Sequence, residues 1–339
     1  MSKRLELCAR MLAIVLTMVG MTLTCAAQIY PSRPVQVIVS YPPGGTGDFV
    51  ARTISDKLAS ALGQPVNIEN RPGASGTIGA RSVARATPDG YTLLIGQAAE
   101  IAINKISVVD LGYNPERDLQ PVALLTIMPM GLVVPTTAPY STVGELVKAS
   151  RAAPRGLTFA SAGAGTPGHF AGEILRLRTG GRFTHVPFDG AAPALEGLIA
   201  GRVDFYFASL LAAQEPVKAG KLKMIAVSSA QRVLAAPTVP TVMESGIPNF
   251  NMTQWVTLLA PRGTPRPVVD RLNREVNQVL AQPEVRERLL SAGADITPMS
   301  PDQVRAFVKS ETDRYSTLIE EEFCSRFWFG GCTGYAVVD

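Results

Sequence analysis

Histidine and cysteine are scarce in this sequence of 339 residues. It contains two histidines and four cysteines, and two of the cysteines, Cys8 and Cys25, lie close to the start of the chain. The other two, Cys324 and Cys332, are far in sequence from both histidines. No spacing typical of a metal site is therefore present, and we expect no bound metal.

Dense positive charge and hydrolase signatures are also missing. The net charge of +4 is mild and no stripe of lysine and arginine appears, so we expect no nucleic-acid partner. No serine has the G-x-S-x-G motif, and Ser161 has Phe159 where the first glycine would stand. His169 and His185 are the remaining candidates for a general base, and His185 falls in a predicted strand, where packing is the simpler interpretation. We expect no catalytic residue and no enzyme activity.

The start of the chain has the layout of a secretory signal peptide. Three cations precede an uncharged apolar stretch at residues 11–24, which is too short to span a membrane, and small residues follow from Cys25. We expect cleavage after Ala27 and export of the chain from residue 28 onward. A tethering helix or a lipid-anchored Cys25 are the alternatives, but the residues before Cys25 match a lipidation motif poorly.

Short β-rich runs alternate with helical stretches along the exported part. The first unit opens with a predicted strand at residues 35–40, a loop at 41–48 and an amphipathic helix at 49–62. The same order restarts at residue 157. This alternation predicts an α/β fold with parallel-rich sheets flanked by helices.

Two long apolar segments, residues 124–134 and 253–260, are candidates for crossing between the two units. Two crossings indicate two lobes with a ligand cleft and a hinge between them. The predicted division is a signal peptide at 1–27, lobe 1 at 28–129 plus 254–322, lobe 2 at 130–253 and an atypical tail at 323–339.

The tail is aromatic-rich, broken by glycines and without helical or strand periodicity. One interpretation is an extension closed by a Cys324–Cys332 disulfide, which an oxidising compartment permits. The other, which we favour, is a tail altered by a shifted reading frame that does not belong to the binding fold.

A glycine-rich loop precedes a predicted helix in each unit. Thr46 or Asp48 is the expected cap of the first helix, while Thr166 is the expected cap of the second and Pro167 its first residue. Helix N-termini attract anions, and ligands of parallel sheets lie at the carboxyl ends of strands. Two such loops facing across a cleft would suit a dicarboxylate, although either loop alone is explained as well by an ordinary turn.

The second loop also matches a dinucleotide-binding fingerprint. Gly163, Gly165 and Gly168 form a literal G-x-G-x-x-G, with Asp189 about twenty residues further on. An oxidoreductase that uses a dinucleotide is therefore the alternative function. The export signal and Pro167, at the place where the loop would meet the pyrophosphate, argue against it.

Several motifs together resemble a known receptor family. They include Tyr41-Pro-Pro-Gly-Gly45, Asn70-Arg-Pro-Gly-Ala74, Ala86-Thr-Pro-Asp-Gly-Tyr-Thr-Leu-Leu94, Ala160-Ser-Ala-Gly-Ala-Gly-Thr166 and His185-Val-Pro-Phe188. From about Tyr30 to Leu318 the sequence resembles the Bug-type extracytoplasmic solute-binding receptors of tripartite tricarboxylate transporters. The resemblance implies a two-lobed periplasmic-binding-protein fold of type II in the periplasm, with no cofactor and no catalysis.

The resemblance also implies a ligand and its contacts. The ligand would be a small carboxylate, an amino acid or a related compound, delivered by a monomer to the membrane subunits of the transporter. The residues implied to bind it are Tyr41, Gly44, Gly45, Thr46, Asp48, Ala74, Ala98, Ser161, Gly165, Thr166, His169 and Phe188. Asp189 and Glu100 depart from the family pattern, and we expect their negative charge near the cleft to disfavour tricarboxylates or to favour a ligand with an amine.

Overall fold

The computed structural model describes residues 30–107 and 110–319. The chain divides into a short unit that ends at Ser32, in which the Tyr30–Pro31 peptide bond is cis, and a large unit that begins at Arg33. The predicted signal peptide and the predicted tail, with Cys324 and Cys332, lie outside the described residues. The strands and helices of the described residues all belong to the large unit.

Strands and helices alternate through the large unit. The strands are β1 (Val35–Val39), β2 (Val66–Asn70), β3 (Thr92–Gln97), β4 (Leu119–Pro135), β5 (Leu157–Ser161), β6 (Phe183–Pro187), β7 (Phe205–Ser209), β8 (Leu222–Val227) and β9 (Thr253–Pro261). The helices are α1 (Thr46–Leu62), α2 (Thr77–Ala84), α3 (Asn104–Ser107), α4 (Pro115–Asp118), α5 (Val143–Ala152), α6 (Pro167–Thr179), α7 (Ala191–Ile199), α8 (Leu210–Lys218), α9 (Arg266–Ala281), α10 (Pro283–Ser291) and α11 (Pro301–Ile319). A 3₁₀ turn at Ala74–Gly76 precedes α2, and a π-helical turn at Ala99–Ile103 follows β3. In the described ranges, no helix has the length and apolarity that a membrane span requires.

The strands of the described residues form one sheet from two groups. The first group has the order β2-β1-β3-β9-β4 and the second has the order β4-β7-β5-β6, with β8 also paired to β4. Each group of strands contains parallel pairs: β1 pairs with β2 and β3 in the first group, and β5 pairs with β6 and β7 in the second. The pairings made by β4 and β9 are antiparallel. The predicted α/β alternation is therefore confirmed, and the long strands turn the predicted parallel sheets into a mixed one.

Strand β4 belongs to both groups. Its residues from Leu119 to Pro129 pair with β9, and those from Met130 to Pro135 pair with β7 or β8. The predicted crossing at residues 124–134 is thus confirmed. The second predicted crossing is displaced, because β9 pairs only with β3 and the first part of β4, so the chain returns to the first group before Thr253.

Among the described residues, the largest fully buried side chain is Trp255 in β9. Its ring packs edge-to-face on Phe307 of α11 with centroids 5.8 Å apart, and its Nε1–H donates to Glu311 Oε2 at 3.1 Å. Trp255 therefore joins the sheet to α11 through the core, while the neighbouring Gln254 faces the opposite side of the strand.

Two helical glycines predict opposite effects of the same substitution. A Cβ atom at Gly172 in α6 would lie 2.2 Å from the ring of the buried Phe159, so Gly172→Ala should overpack the core and cost about 1–3 kcal/mol. At Gly144 in α5 a Cβ atom would meet nothing within 4 Å. Gly144→Ala should therefore stabilise the fold by about 0.5–1 kcal/mol through helix propensity. Urea denaturation of both variants measures the difference, and a stabilising Gly172→Ala would contradict the packing of α6 on β5.

Candidate functional site

The two glycine-rich loops border one cavity of about 70 Å³. Strands β1, β3, β5 and β7 all end at it, as parallel strands do at ligand sites. Its lining residues are Tyr41, Pro42, Pro43, Gly45, Thr46, Gln97, Ala99, Ala162, Thr166, Pro167, Ala191, Ala192, Pro193, Tyr206, Ser209 and Gln254. The structure therefore has a cavity between the two loops, as predicted.

Both groups of strands supply polar side chains to the cavity. Thr46, Gln97 and Gln254 come from the first group, and Thr166, Tyr206 and Ser209 come from the second. None of the lining residues has a charged side chain. An anion in this cavity must therefore be held by hydroxyl, amide and backbone N–H groups. No group of three or more His, Cys, Asp or Glu residues in the described part of the chain is arranged to hold a metal ion.

Two helix N-termini border the cavity without side-chain caps. Helix α1 begins at Thr46 with Gly45 as its cap residue, so neither Thr46 nor Asp48 caps it as predicted. Thr166 does occupy the cap position of α6 and Pro167 follows as its first residue, but the Thr166 hydroxyl donates to Gly163 O at 2.7 Å instead of capping the helix. The first-turn N–H groups of both helices are thus left to other partners, and their partial positive charge favours an anion.

Asp48 lies behind the first loop and fixes its shape. Its carboxylate accepts from Gly44 N at 2.9 Å, from Arg52 Nε at 2.9 Å and from Asn70 Nδ2 at 3.0 Å. Burial alone would raise the pKa of Asp48, but the bonds from Arg52, Gly44 and Asn70 outweigh burial and lower the pKa below its usual value. Neither Gly44 nor Asp48 lines the cavity, and the Gly44 N–H and the Asp48 carboxylate bond to each other.

Ser161 forms a contact with His185 that the sequence did not predict. The Ser161 Oγ lies 2.7 Å from His185 Nε2, and it also donates to Gly163 O at 2.8 Å. Ser161 is fully buried and does not line the cavity. This serine–histidine pair therefore holds the second loop in shape from behind, and it lacks the access to a substrate that a nucleophile needs.

His169 also faces the back of the second loop. Its Nδ1 accepts from Gly165 N at 3.1 Å, and its ring stacks on His185 with centroids 3.9 Å apart. Burial and the neighbouring His185 lower the pKa of His169 to about 3, and burial lowers the pKa of His185 to about 4. Both rings are neutral at pH 7. His169 and Gly165 bond to each other and lie outside the cavity lining.

Ala74 is exposed in the 3₁₀ turn, but the residue after it reaches across to the second loop. The Ser75 Oγ donates to Ala164 O at 2.6 Å. Ser75 has a left-handed backbone with φ of 47°, and its carbonyl accepts from Tyr41 Oη and from Asn104 Nδ2, each at 3.1 Å. A strained residue held from both sides thus ties the first group of strands to the second.

Ala98 and Phe188 lie beside the cavity rather than in its wall. Ala98 is buried, and its neighbours Gln97 and Ala99 line the cavity instead. The Phe188 ring packs so closely on Gly197 of α7 that a Cβ atom there would lie 2.6 Å from it. The first turn of α7 forms this part of the wall.

Neither of the two residues expected to bring negative charge to the cleft lines the cavity. Glu100 is fully buried, and burial raises the pKa of its carboxyl to about 8, so it is neutral at pH 7. Asp189 is exposed and does not line the cavity. The cavity lining therefore carries no negative charge that would support a preference against tricarboxylates or for an amine, and this preference stays a prediction.

Three polar lining residues were missed by sequence reasoning, Gln97, Tyr206 and Ser209, and a fourth, Gln254, was left open between lining the cleft and packing in the core. Gln97 and Ser209 are the last residues of β3 and β7. The rule that ligands lie at the carboxyl ends of parallel strands identifies both, once the ends of those strands are known. Gln254 faces the cavity only because β9 pairs with β3, which no local pattern indicates.

The chain matches the family model described as Tripartite tricarboxylate transporter family receptor (TctC) over residues 50–323. It belongs to this receptor family. The structure of MatC from Rhodopseudomonas palustris with bound malate is 36% identical, with a TM-score of 0.81, and covers 86% of this chain and 100% of that chain. A second R. palustris structure, with adipate, is 34% identical with a TM-score of 0.83, over 86% and 97% of the two chains. The periplasmic binding protein BugD is 33% identical with a TM-score of 0.81, over 86% and 98%.

These comparisons confirm the family and the two-lobed fold of periplasmic binding proteins. A receptor of this family binds its ligand and does not convert it, so the chain is a solute-binding protein of the periplasm and not an enzyme. The alternative of a dinucleotide-dependent oxidoreductase is wrong. None of the three glycines of the G-x-G-x-x-G lines the cavity, although the loop that contains them borders it.

Proposed function

We propose that this receptor binds a small dicarboxylate in the cavity between its two glycine-rich loops and delivers it to the membrane subunits of a tripartite tricarboxylate transporter. The observation that carries the proposal is an uncharged cavity lined by hydroxyl and amide groups, with an uncapped helix N-terminus from each group of strands. Each N-terminus provides about half a positive charge for one carboxylate end of the ligand.

The solved relatives with malate and adipate support this class, since both ligands are dicarboxylates. The cavity is small, which favours a short chain. No acidic side chain lines the cavity to pair with an ammonium group. We therefore place short dicarboxylates without an amine ahead of amino acids as ligands.

Ligand capture would proceed by closure of two lobes, with lobe 1 at residues 28–129 plus 254–322 and lobe 2 at 130–253. Strand β4 runs through both groups and is the proposed connection. The bond from Ser75 Oγ to Ala164 O joins the 3₁₀ turn before α2 to the second loop, and opening of the cleft would break it. Among the predicted contacts, Tyr41, Gly45, Thr46 and Thr166 are the proposed ligand contacts, because they line the cavity.

The proposal has three further parts. The receptor is exported through a signal peptide that is cleaved after Ala27, it acts as a monomer, and it docks on the membrane subunits. N-terminal sequencing of the periplasmic protein tests the cleavage site. Light scattering of the purified receptor, with and without malate, tests the monomer.

A thermal-shift panel of malate, adipate, citrate, aspartate and NAD tests the ligand class. A ligand at one hundred times its dissociation constant adds about 2.7 kcal/mol to the free energy of unfolding, which a melting curve detects readily. We expect malate or adipate to raise the melting temperature more than aspartate does. If NAD raises the melting temperature and no carboxylate does, the proposal is wrong.

A further inference from the structure

Glu100 places a carboxyl group directly behind the cavity wall. It is fully buried in the π-helical turn after β3, and its Oε1 accepts from Gln97 N at 2.9 Å. Its Oε2 is buried without a hydrogen-bond partner. A Cβ atom at Gly76 would lie 2.8 Å from Glu100 Oε2 and 3.1 Å from Tyr41 Cε2, so the carboxyl and the Tyr41 ring meet over this glycine. Glu100 thus touches two parts of the wall at once.

The groups around the carboxyl are neutral. The Ser40 hydroxyl, at the residue that follows β1, is also buried without a hydrogen-bond partner and lies beside the carboxyl. Tyr113 Oη donates to the Glu100 carbonyl, and the charge of Arg81 on α2 acts on Tyr113. Burial raises the pKa of Tyr41 and of Tyr113. Without a cation facing it among the described residues, an ionised Glu100 is costly, and the neutral form prevails at pH 7.

Three lining residues depend on this carboxyl. Gln97 is held through its N–H, Ala99 precedes Glu100 in the chain, and the Tyr41 ring packs beside it. We infer that Glu100 is a positioning residue, whose neutral carboxyl group holds the wall of the cavity formed by Tyr41, Gln97 and Ala99 and makes the binding of an anion depend on pH. The part of this inference that concerns the ligand rests on the proposed function.

The sign of the pH dependence follows from charge. A dicarboxylate in the cavity opposes ionisation of Glu100, so it raises the pKa of that carboxyl above the value of about 8 in the free protein. The complex then retains a proton that the free protein loses, and affinity falls as the pH rises through 8, by at most about tenfold per pH unit.

Other nearby groups do not titrate in this range. His169 and His185, with pKa values of about 3 and 4, are already neutral above pH 6. The charged groups of α11 next to the π-helical turn line a separate groove with Ile101 and Lys105: Arg305, Lys309 and Asp313. A change in affinity between pH 7 and 9.5 is therefore assigned to Glu100.

Calorimetry with malate from pH 6.5 to 9.5 tests the inference on the full exported chain. We expect the dissociation constant of the wild type to rise about tenfold between pH 7.5 and 9.5. Glu100→Ala should weaken binding at least fivefold at pH 7, because Gln97 loses its acceptor, and the neutral isostere Glu100→Gln should restore the affinity and give a profile without the rise. Glu287→Gln, on an exposed position of α10, is the matched control and should keep the wild-type profile. A rise of the same size in Glu100→Gln would overturn the inference.

A second measurement needs no ligand. Below about pH 4.5, the pKa of a glutamate in the unfolded chain, Glu100 is protonated in both states and its contribution to stability is complete. This contribution is lost as the pH rises to about 8, because the unfolded chain loses the proton while the folded protein keeps it. The melting temperature of the wild type minus that of Glu100→Gln should therefore decrease from pH 5 to 8 and stay constant above pH 8. If no carboxylate binds at any pH, the proposed function fails, but the melting temperatures still show whether Glu100 is neutral in the folded protein. A difference in melting temperature that does not change with pH would contradict a neutral Glu100.

Discussion

Replacing Ala162 by phenylalanine should abolish dicarboxylate binding. Ala162 follows β5 directly and lines the cavity between the two loops. A phenyl ring there would project into the space between the loops that the ligand needs. We expect affinity for malate to fall at least a hundredfold, a loss of about 2.7 kcal/mol in binding free energy. Calorimetry at pH 7 measures it.

The matched control is Ala61→Phe, at an exposed position of α1 away from the cavity lining. It should leave the affinity within about twofold of the wild type, and both variants should melt cooperatively. Retained binding in Ala162→Phe would show that the ligand occupies another place. If Ala162→Phe does not melt cooperatively, the same binding measurement is made on the smaller substitution Ala162→Leu.

Replacing Trp255 by alanine should destabilise the fold strongly. The indole is fully buried between β9 and α11 and contacts Phe307. Removing a buried tryptophan costs about 3–5 kcal/mol, because transfer free energy is lost and a cavity remains. Denaturation in urea at pH 7 measures the change in the free energy of unfolding.

Two further variants separate packing from hydrogen bonding. Trp255→Phe keeps most of the ring and loses the bond to Glu311 Oε2, so it should cost clearly less than alanine. Leu234→Ala removes a large apolar side chain that is 96% exposed, and it should change stability by less than about 0.5 kcal/mol. Equal losses in Trp255→Ala and Leu234→Ala would contradict the role assigned to the indole.

Much of the fold was readable from local patterns. The strand predicted at residues 35–40 and the helix that ends at Leu62 are present as β1 and α1. The long apolar run of β4 marked a crossing strand correctly. Local patterns were less accurate at helix starts, where α1 begins at Thr46 rather than residue 49, since glycine and threonine in a loop carry weak helical preferences.

The candidate site was located by sequence but its contacts were not. Gly45, Thr46 and Thr166 line the cavity, whereas Asp48 and Ser161 lie behind it and hold the loops. Residue type does not distinguish these cases, because both roles require short polar side chains in a glycine-rich turn. Hydrogen bonds between residues distant in sequence decide which way each side chain faces.

By itself, then, the sequence determined the alternation of elements, the two loops and the family, because hydrophobic period and turn residues act between near neighbours. Only the tertiary structure decided that Gln254 joins Gln97 in one wall, since the pairing of β9 with β3 joins residues far apart in the chain. It also decided the charge of Glu100. A glutamate is an anion in water at pH 7, and burial makes this one a neutral group behind the cavity wall.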